Sequence, residues 1–443
     1  MNQYSKELIH QTSFLIQEKE TLIHQSLENL IQLITENTHV SFCIKKKFEM
    51  SQINTKYSEK RLQSSCENGH YQFKKDWERE EKTGKFLFIN KEKIETQKKI
   101  ISFLLSKIGS NIIKGKSILS ISLPIDIFEP RSNLERFAYS CSFAPIYLKK
   151  AALLTDAVQQ MKFAGIFLIT TTVMYLDLSK PFNPVLGETY QGRLNGFPFY
   201  CEQISHHPPI CALFYDGEGY QIHGQIESIA QMHANSVTGI NQGNFWVVFK
   251  NTGNKIGLIQ AAGSLNGTSF GTRYMSVDGS YIAHDLKNQL VMEVKANPDK
   301  KGFFSMSKQS TTIDFVQGGI YRATDDFLRK IQQLKPHYYK IEGLNLKEDV
   351  KEQICNIKGF WNKEIVVDGE FLWNQEEPLP FVLEGEENPI PSDCSWRQDL
   401  LYLRAGDKVK GQQYKEVIED IQRKDRKLRE KWKEQEKKIK GKK

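Results

Sequence analysis

Between Phe199 and Trp373 the chain reads as one short strand after another with no helix between them, and this most narrows what it can fold into. In Gly219–Ile226, GYQIHGQI, the positions Tyr220, Ile222, Gly224 and Ile226 share one side of a period-two pattern. NFWVVFK at 244–250, QLVMEVKA at 289–296 and EIVVDGEFLW at 364–373 follow, separated by turns containing Gly, Asn and Asp. A parallel neighbour needs a long, usually helical crossover, which this region lacks. The expected fold class is α+β but mainly β, an antiparallel sheet or barrel, and doubly wound folds are disfavoured.

The flanks differ. Residues 1–100 are polar and partly helical in periodicity, with Leu22, Ile23, Leu27, Leu30, Ile31 and Leu33 recurring before the charged stretch KKDWEREEKTGK. They are expected to be an N-terminal extension, with the binding domain spanning 101–443. From Ile101 to about Leu178 the pattern is mostly helical, broken by Pro124 and Pro130 in SLPIDIFEPRS. Met161–Leu176, MKFAGIFLITTTVMYL, is apolar but shorter than the ~20 residues of a spanning helix and contains Lys162, so it predicts a buried helix. From Lys408 to Lys440 there is no Pro and only Gly411. Tyr414, Val417, Ile418, Ile421, Leu428, Trp432 and Ile439 fall on one stripe of the long amphipathic helix expected there.

Charge is concentrated at the end. Ile421–Lys443 holds twelve Lys or Arg against four Asp or Glu, equal to the +8 of the whole chain. The remainder is neutral, which argues against a broad nucleic-acid surface and for a basic helical tail over 408–443 that meets phosphates or is merely solvated. The seven cysteines are scattered without a C-x-x-C pair. Neither a disulfide framework nor a zinc ribbon is indicated. The polar start lacks a secretory signal and the end lacks a lipidation motif. The expectation is a cytoplasmic protein whose membrane contacts are peripheral and transient.

Three segments are candidates for chemistry. In Tyr200–Pro209 the adjacent His206 and His207 precede two prolines that stiffen the turn. Such rigid donors suit an anion; Glu202 with the histidines offers a metal reading without the usual zinc spacing, and turn capping is the plain alternative. In Ser179–Thr189, prolines flank Phe182–Asn183, so Lys180 and Asn183 project from one loop, suited to phosphate or carboxylate, or the prolines simply end a helix. Lys415, Glu419 and Arg423 recur at i, i+4 and i+8 beside the apolar stripe, either entering a groove or forming solvated pairs. Together they supply cations and donors without a serine or cysteine nucleophile or paired carboxylates, which favours a phosphate receptor over a reaction centre.

These segments resemble the oxysterol-binding-protein-related lipid transfer proteins. EQISHHPP at Glu202–Pro209 is similar to their E-Q-x-S-H-H-P-P fingerprint, and KPFNPVLGETY at Lys180–Tyr190 and Lys415-x-x-x-Glu419-x-x-x-Arg423 are similar to further family motifs in the same order. The resemblance covers about residues 101–430. It implies a large, incomplete antiparallel β-barrel with a lipid tunnel, N-terminal helices and lid, and a long C-terminal helix. It also implies that Lys180, Asn183, His206, His207, Lys415 and Arg423, with Glu419 orienting the cations, hold the headgroup of phosphatidylinositol 4-phosphate. Leu123, Pro124 and Ile125 would then belong to a lid touching the lipid. No cofactor, metal or enzymatic step is implied.

LPIDIFEPRSNLER and GQQYKEVIEDIQRKDRKLRE look like the branch that carries phosphatidylserine, so that lipid is the expected second cargo, with sterol as the other. The expected function is lipid exchange between membranes; a lipid sensor or adaptor with the same ligands is the alternative, and a metal-dependent hydrolase using His206, His207 and Glu202 a more distant one. Two departures stand out. Asp126 interrupts the apolar lid, and Asp393-Cys394-Ser395-Trp396-Arg397 replaces the family's D-S-R, which puts local packing in question. Neither a pleckstrin-homology domain, a two-phenylalanine motif in an acidic tract nor a C-terminal anchor is recognisable.

Overall fold

The computed structural model describes residues 66–67, 70–71, 75–108, 123–298, 312–333, 343–376 and 381–440, apart from positions 177, 179 and 346. Its helices are α1 (Lys91–Ile108), α2 (Asn133–Arg136), α3 (Ala144–Ala152), α4 (Ala157–Thr170), α5 (Asp325–Gln332), α6 (Gln398–Arg404) and α7 (Lys408–Lys440).

The alternating segment around Tyr220 becomes half of a long hairpin, in which Tyr220–Met232 pairs with Ser236–Phe249 from Tyr220 opposite Phe249 to Met232 opposite Val237. Antiparallel neighbours continue on one side through Ile210–Gly217, Phe197–Ser205, Thr189–Leu194 and Leu383–Gly385. On the other side the hairpin's second strand divides. Its later half pairs with Lys255–Ile259, leading through Ser280–Asp285, Leu290–Ala296, Phe315–Ala323 and Val350–Phe360 to Glu364–Val367 and Glu370–Asn374. Its earlier half pairs with Ala262–Asn266, then Tyr274–Asp278, Phe86–Phe88 and Trp77–Arg79. Among the described residues no residue register joins Glu370–Asn374 to Leu383–Gly385, so the antiparallel barrel is incompletely closed.

The apolar run at 161–176 forms the buried helix α4, continued by a 3-10 turn at Thr171–Tyr175. Asp156 caps it by accepting from the Gln159 amide at 2.8 Å. Met161, Ala164 and Ile166–Ile169 are buried against the sheet, and Gly165 admits Met292, whose sulfur would lie 2.1 Å from a β-carbon there. Lys162, also buried, reaches Glu370 at 3.2 Å.

Two strands that precede residue 101 join the barrel sheet. Trp77, Phe86 and Phe88 are in the core, the Trp77 indole donates to the Leu176 carbonyl at 2.7 Å, and Arg79 pairs with Asp314 at 2.7 Å. The compact unit holding the described residues extends back to Arg61. The charged stretch had concealed strands because Trp77–Arg79 contributes one apolar side chain and Phe86–Phe88 only three. The helical periodicity at Leu22–Leu33 lies outside the described residues.

On α7, Val417, Ile421, Leu428 and Trp432 are 52%, 60%, 65% and 67% exposed, so this part of the apolar stripe faces outward, whereas Tyr414 and Ile418 are half-buried. The buried side instead carries Gly411 and Lys415. Tyr414 stacks on Tyr402 of α6 at 5.0 Å. Gly411 lets the segment 125–127 approach: a β-carbon there would sit 2.7 Å from Ile125 Cδ1. The Ile125 amide donates to Gln412 Oε1 at 2.9 Å, while Asp126 points away from the core and pairs with Lys408 at 2.9 Å.

The barrel seam at Gly318 provides a test, because a β-carbon there would fall 1.8 Å from the Glu293 carbonyl oxygen of the adjoining strand. Gly318→Ala is expected to cost about 2 kcal/mol or more. Urea unfolding should show a lowered midpoint with an unchanged slope; an unaltered midpoint would contradict the close approach.

Candidate functional site

A short parallel pair, Phe128–Ser132 beside Lys180–Phe182, lies outside the barrel sheet and sets Phe128 opposite Lys180. Prolines at 181 and 184 free this loop from the barrel ladders, and Phe182 packs on Phe128 with ring centroids 4.6 Å apart. The histidine turn connects Phe197–Ser205 to Ile210–Gly217. The third wall is α7. The three enclose a cavity of about 250 Å³ lined by Asn183, His206, His207, Lys415, Glu419 and Arg423, together with Phe128, Arg397, Gln422 and Arg426.

Six of the seven headgroup residues expected from sequence therefore share one cavity. Lys180 stands behind its wall, with Nζ 3.2 Å from Asn183 Oδ1 and 4.9 Å from the Phe128 ring centroid. The buried Lys415 approaches the same ring at 5.3 Å and donates to Glu419 Oε1 at 2.5 Å. Arg423 is 4.0 Å from Glu419 Oε2 and 3.7 Å from Asp420. Glu419 thus stands between the two cations. Phe128 offers its ring to both lysines, a cation–π contact strengthened where water is excluded.

Burial, with the like charge of Lys415, pushes Lys180 down to about 8. Burial, with His207, Arg426 and Arg429 adding repulsion, pushes His206 down to about 4. His207 is lowered by burial and by Arg426, whose Nη1 lies 3.1 Å from its Nε2. The imidazoles are consequently neutral near pH 7, each with one donor and one acceptor nitrogen. His206 Nδ1 and Gln422 Nε2 are buried and lack protein partners. Glu202 is exposed, and among the described residues no three His, Cys, Asp or Glu side chains converge as a metal site.

Sequence reasoning missed four members. Phe128 was hidden in the proline-interrupted segment. Gln422 and Arg426 had a legible signal, since Lys415, Glu419, Gln422 and Arg426 recur at i, i+4, i+7 and i+11 along one helical face. Arg397 sits in the divergent DCSWR segment, which is nevertheless packed into the fold: Cys394 and Ser395 are buried and Asp393 accepts from the Ser395 and Gln191 amides at 2.8 Å. The Arg397 guanidinium pairs with Glu188 at 2.9 Å and Asp399 at 2.7 Å, and donates to the Asn183 carbonyl at 2.9 Å. Burial opposes its charge, but Glu188 and Asp399 outweigh that and raise its pKa. Burial raises Glu188 in turn, with Arg397 opposing. Ser132 donates to the other Glu188 oxygen at 2.5 Å.

Leu123, Pro124 and Ile125 are the residues expected in a lid. Leu123 and Ile125 are buried, and Pro124 is half-buried. Ile125 meets α7 at Gly411.

Arg397→Met would keep the length of the side chain but leave Glu188 and Asp399 buried without their cation, an expected loss of about 3–5 kcal/mol in denaturant unfolding. Such stranded carboxylates hold protons more tightly folded than unfolded. The deficit should therefore shrink as pH falls toward about 5; a deficit that ignores pH would refute the pairing.

The family described as oxysterol-binding protein matches residues 103–440. Oxysterol-binding protein 9 of Dictyostelium discoideum is 31% identical over 351 residues, covering 78% of this chain and 79% of the relative. Oxysterol-binding protein-related protein 5 of Mus musculus is 24% identical, covering 70% of this chain but 34% of the relative, so the chain spans about a third of that protein's length. Among solved structures, Osh3 ORD in complex with PI(4)P from Saccharomyces cerevisiae matches with a TM-score of 0.55 at 22% identity, covering 75% of this chain and 84% of that one. Osh1 ORD in complex with cholesterol matches with a TM-score of 0.55 at 17% identity, covering 75% and 80%. These structural likenesses show the fold; taken with the match across 103–440 and the Dictyostelium relative, they make the chain a member of the oxysterol-binding protein family.

Proposed function

We propose that the protein carries lipid between membranes, exchanging phosphatidylinositol 4-phosphate for a second lipid, with phosphatidylserine preferred. The observation that supports this most directly is the convergence of Asn183, His206, His207, Lys415 and Arg423 on one cavity, with Lys180 immediately behind. Glu419 is the carboxylate among the residues lining it, so positive charge is in excess. At about 250 Å³ the cavity falls below the roughly 300 Å³ of small-molecule pockets, a size for a headgroup rather than a whole lipid.

Physical economy supports the rest. Each methylene of an acyl chain costs ~0.8 kcal/mol to expose to water, so a carrier must shelter the chains in an apolar interior. The incompletely closed barrel is the element suited to that, and 123–127 the segment suited to cover it. Where two lipids compete for one interior, loading one releases the other, and a gradient of either drives the other without covalent chemistry. The protein would work from the cytoplasm through transient membrane contact; among the described residues no helix is long and apolar enough to cross a membrane.

A sterol is the second reading for the cargo, favoured by the solved relatives whose ligands are cholesterol and ergosterol. Asp126 bears on neither choice, since it pairs outward with Lys408. Native mass spectrometry of lipid-loaded protein separates the cargos. Phosphatidylserine would support the preferred reading and sterol the second. Catalytic exchange at substoichiometric protein would separate a carrier from a sensor.

Replacing His206 and His207 by Ala should weaken extraction of phosphatidylinositol 4-phosphate roughly a hundredfold or more while leaving the second lipid bound. Unchanged extraction would sink the headgroup assignment. Titration offers a second check. An anion raises the pKa of Lys180 from its value of about 8 in the free site. Affinity for soluble inositol phosphate should then fall as pH rises from about 7 to about 9, and Lys180→Met should be weaker and nearly flat over that range. A wild-type profile as flat as the variant's would exclude Lys180 from the site.

A further inference from the structure

We propose that the outward face of α7 is a membrane-docking surface, on which Val417, Ile421, Leu428 and Trp432 enter a lipid bilayer while Lys410, Lys424 and Lys431 meet its anionic headgroups. All four apolar side chains are more than half exposed. At about 100° per residue they fall within a sector of about 60°, and at about 1.5 Å per residue they extend over ~22 Å. Lys415, Glu419, Gln422 and Arg426, which face the cavity, lie on the opposite side of the helix by the same geometry. Docking therefore requires none of the cavity residues.

Charge selects a lipid surface over a second helix. If Ile421 and Leu428 occupied the a positions of a coiled coil, the d positions would be Lys424 and Lys431, both exposed here; if they occupied the d positions, the a positions would be Ile418, which lines the cavity, Asp425 and Trp432. In either register a protein seam would have to bury a charged side chain. A bilayer would not, since lysine stems lie along the apolar boundary while the charges reach the phosphates. Asp420 and Asp425 border this face, but Asp420 is paired with Lys424 at 2.7 Å and Asp425 with Arg429. Trp432, 67% exposed at the far end, has the amphipathic ring that settles at headgroup depth.

The test uses the full chain and flotation with vesicles of phosphatidylcholine containing about 30% phosphatidylglycerol, which supplies negative charge without phosphoinositide or either proposed cargo. Wild type should float. The triple variant Ile421→Gln, Leu428→Gln, Trp432→Gln, which keeps the charge and good helix formers at exposed positions, should lose about tenfold or more of its vesicle affinity. Lys424→Gln with Lys431→Gln should weaken binding by several fold and reduce its dependence on salt. Circular dichroism and an unchanged urea-unfolding midpoint would show both variants folded. Triple-variant binding equal to wild type, or no wild-type binding at all, would overturn the proposal. So would a dimer that the triple variant dissociates in sedimentation without altering flotation, since the stripe would then be a contact between copies. Failure of the headgroup assignment would leave these vesicle results unchanged, because the vesicles contain no phosphoinositide.

Discussion

Arg397 is the cation on which the candidate site's arrangement depends. Its guanidinium is held by Glu188 and Asp399, donates to the carbonyl of Asn183 and lies 5.3 Å from the Phe182 ring centroid. Glu188 also accepts from Ser132, the N-cap of α2, and from the Val185 amide. One buried cluster thereby ties the Phe128–Ser132 strand, the loop carrying Lys180 and Asn183, and the start of α6. Removing ions from water costs several kcal/mol each, so the cluster holds only because each charge has its partner. It determines where the loop stands relative to α7, and so whether Lys180 and Lys415 approach the same aromatic ring.

The fold was legible where its physics is local. Alternation around Tyr220 and the unbroken succession of strands specified an antiparallel sheet, because side-chain period and the absence of helical crossovers act on neighbouring residues. The two strands at Trp77–Arg79 and Phe86–Phe88 were not legible. Three residues cannot establish a period, and their assignment depends on Tyr274 and Met275, nearly two hundred positions away. Which face of α7 is buried was not legible for a related reason. An apolar stripe indicates that a helix is amphipathic, but the direction of burial was decided by the close contact at Gly411, the Tyr402–Tyr414 stack and the anchored Lys415.

The site was more legible than its support. Lys180, Asn183, His206, His207, Lys415, Glu419 and Arg423 are polar residues in compact motifs, and a motif preserves in sequence the spacing that chemistry needs. Phe128 and Arg397 act through distance rather than spacing. Phe128 reaches Lys180 by strand register and Lys415 by tertiary packing. Arg397 reaches Glu188 across 209 positions. The segment that departs from the family's D-S-R looked doubtful because a pattern was broken. Its one arginine, Arg397, is present two residues further on, and the amides of Ser395 and Gln191 bound to Asp393 supply packing that the pattern alone could not reveal.

The free cavity also has to limit its own repulsion. Lys180, Lys415 and Arg423 gather near Glu419 with Arg426 on the same cavity, and adding two imidazolium charges would increase the repulsion among them. Burial and the neighbouring arginines prevent that by keeping His206 and His207 neutral near pH 7, while Lys180 is already drawn down to about 8. In the proposed role, an arriving phosphate reverses each of these influences. It attracts protons to the imidazoles, secures the one on Lys180 and satisfies donors such as Gln422 Nε2 that have no protein partner. The same proximity that makes the cations costly together in the free protein makes them cooperative around an anion. On the proposed headgroup assignment, selectivity for a multiply charged ligand follows from that difference, because a neutral ligand of the same shape would meet the crowding without relieving it.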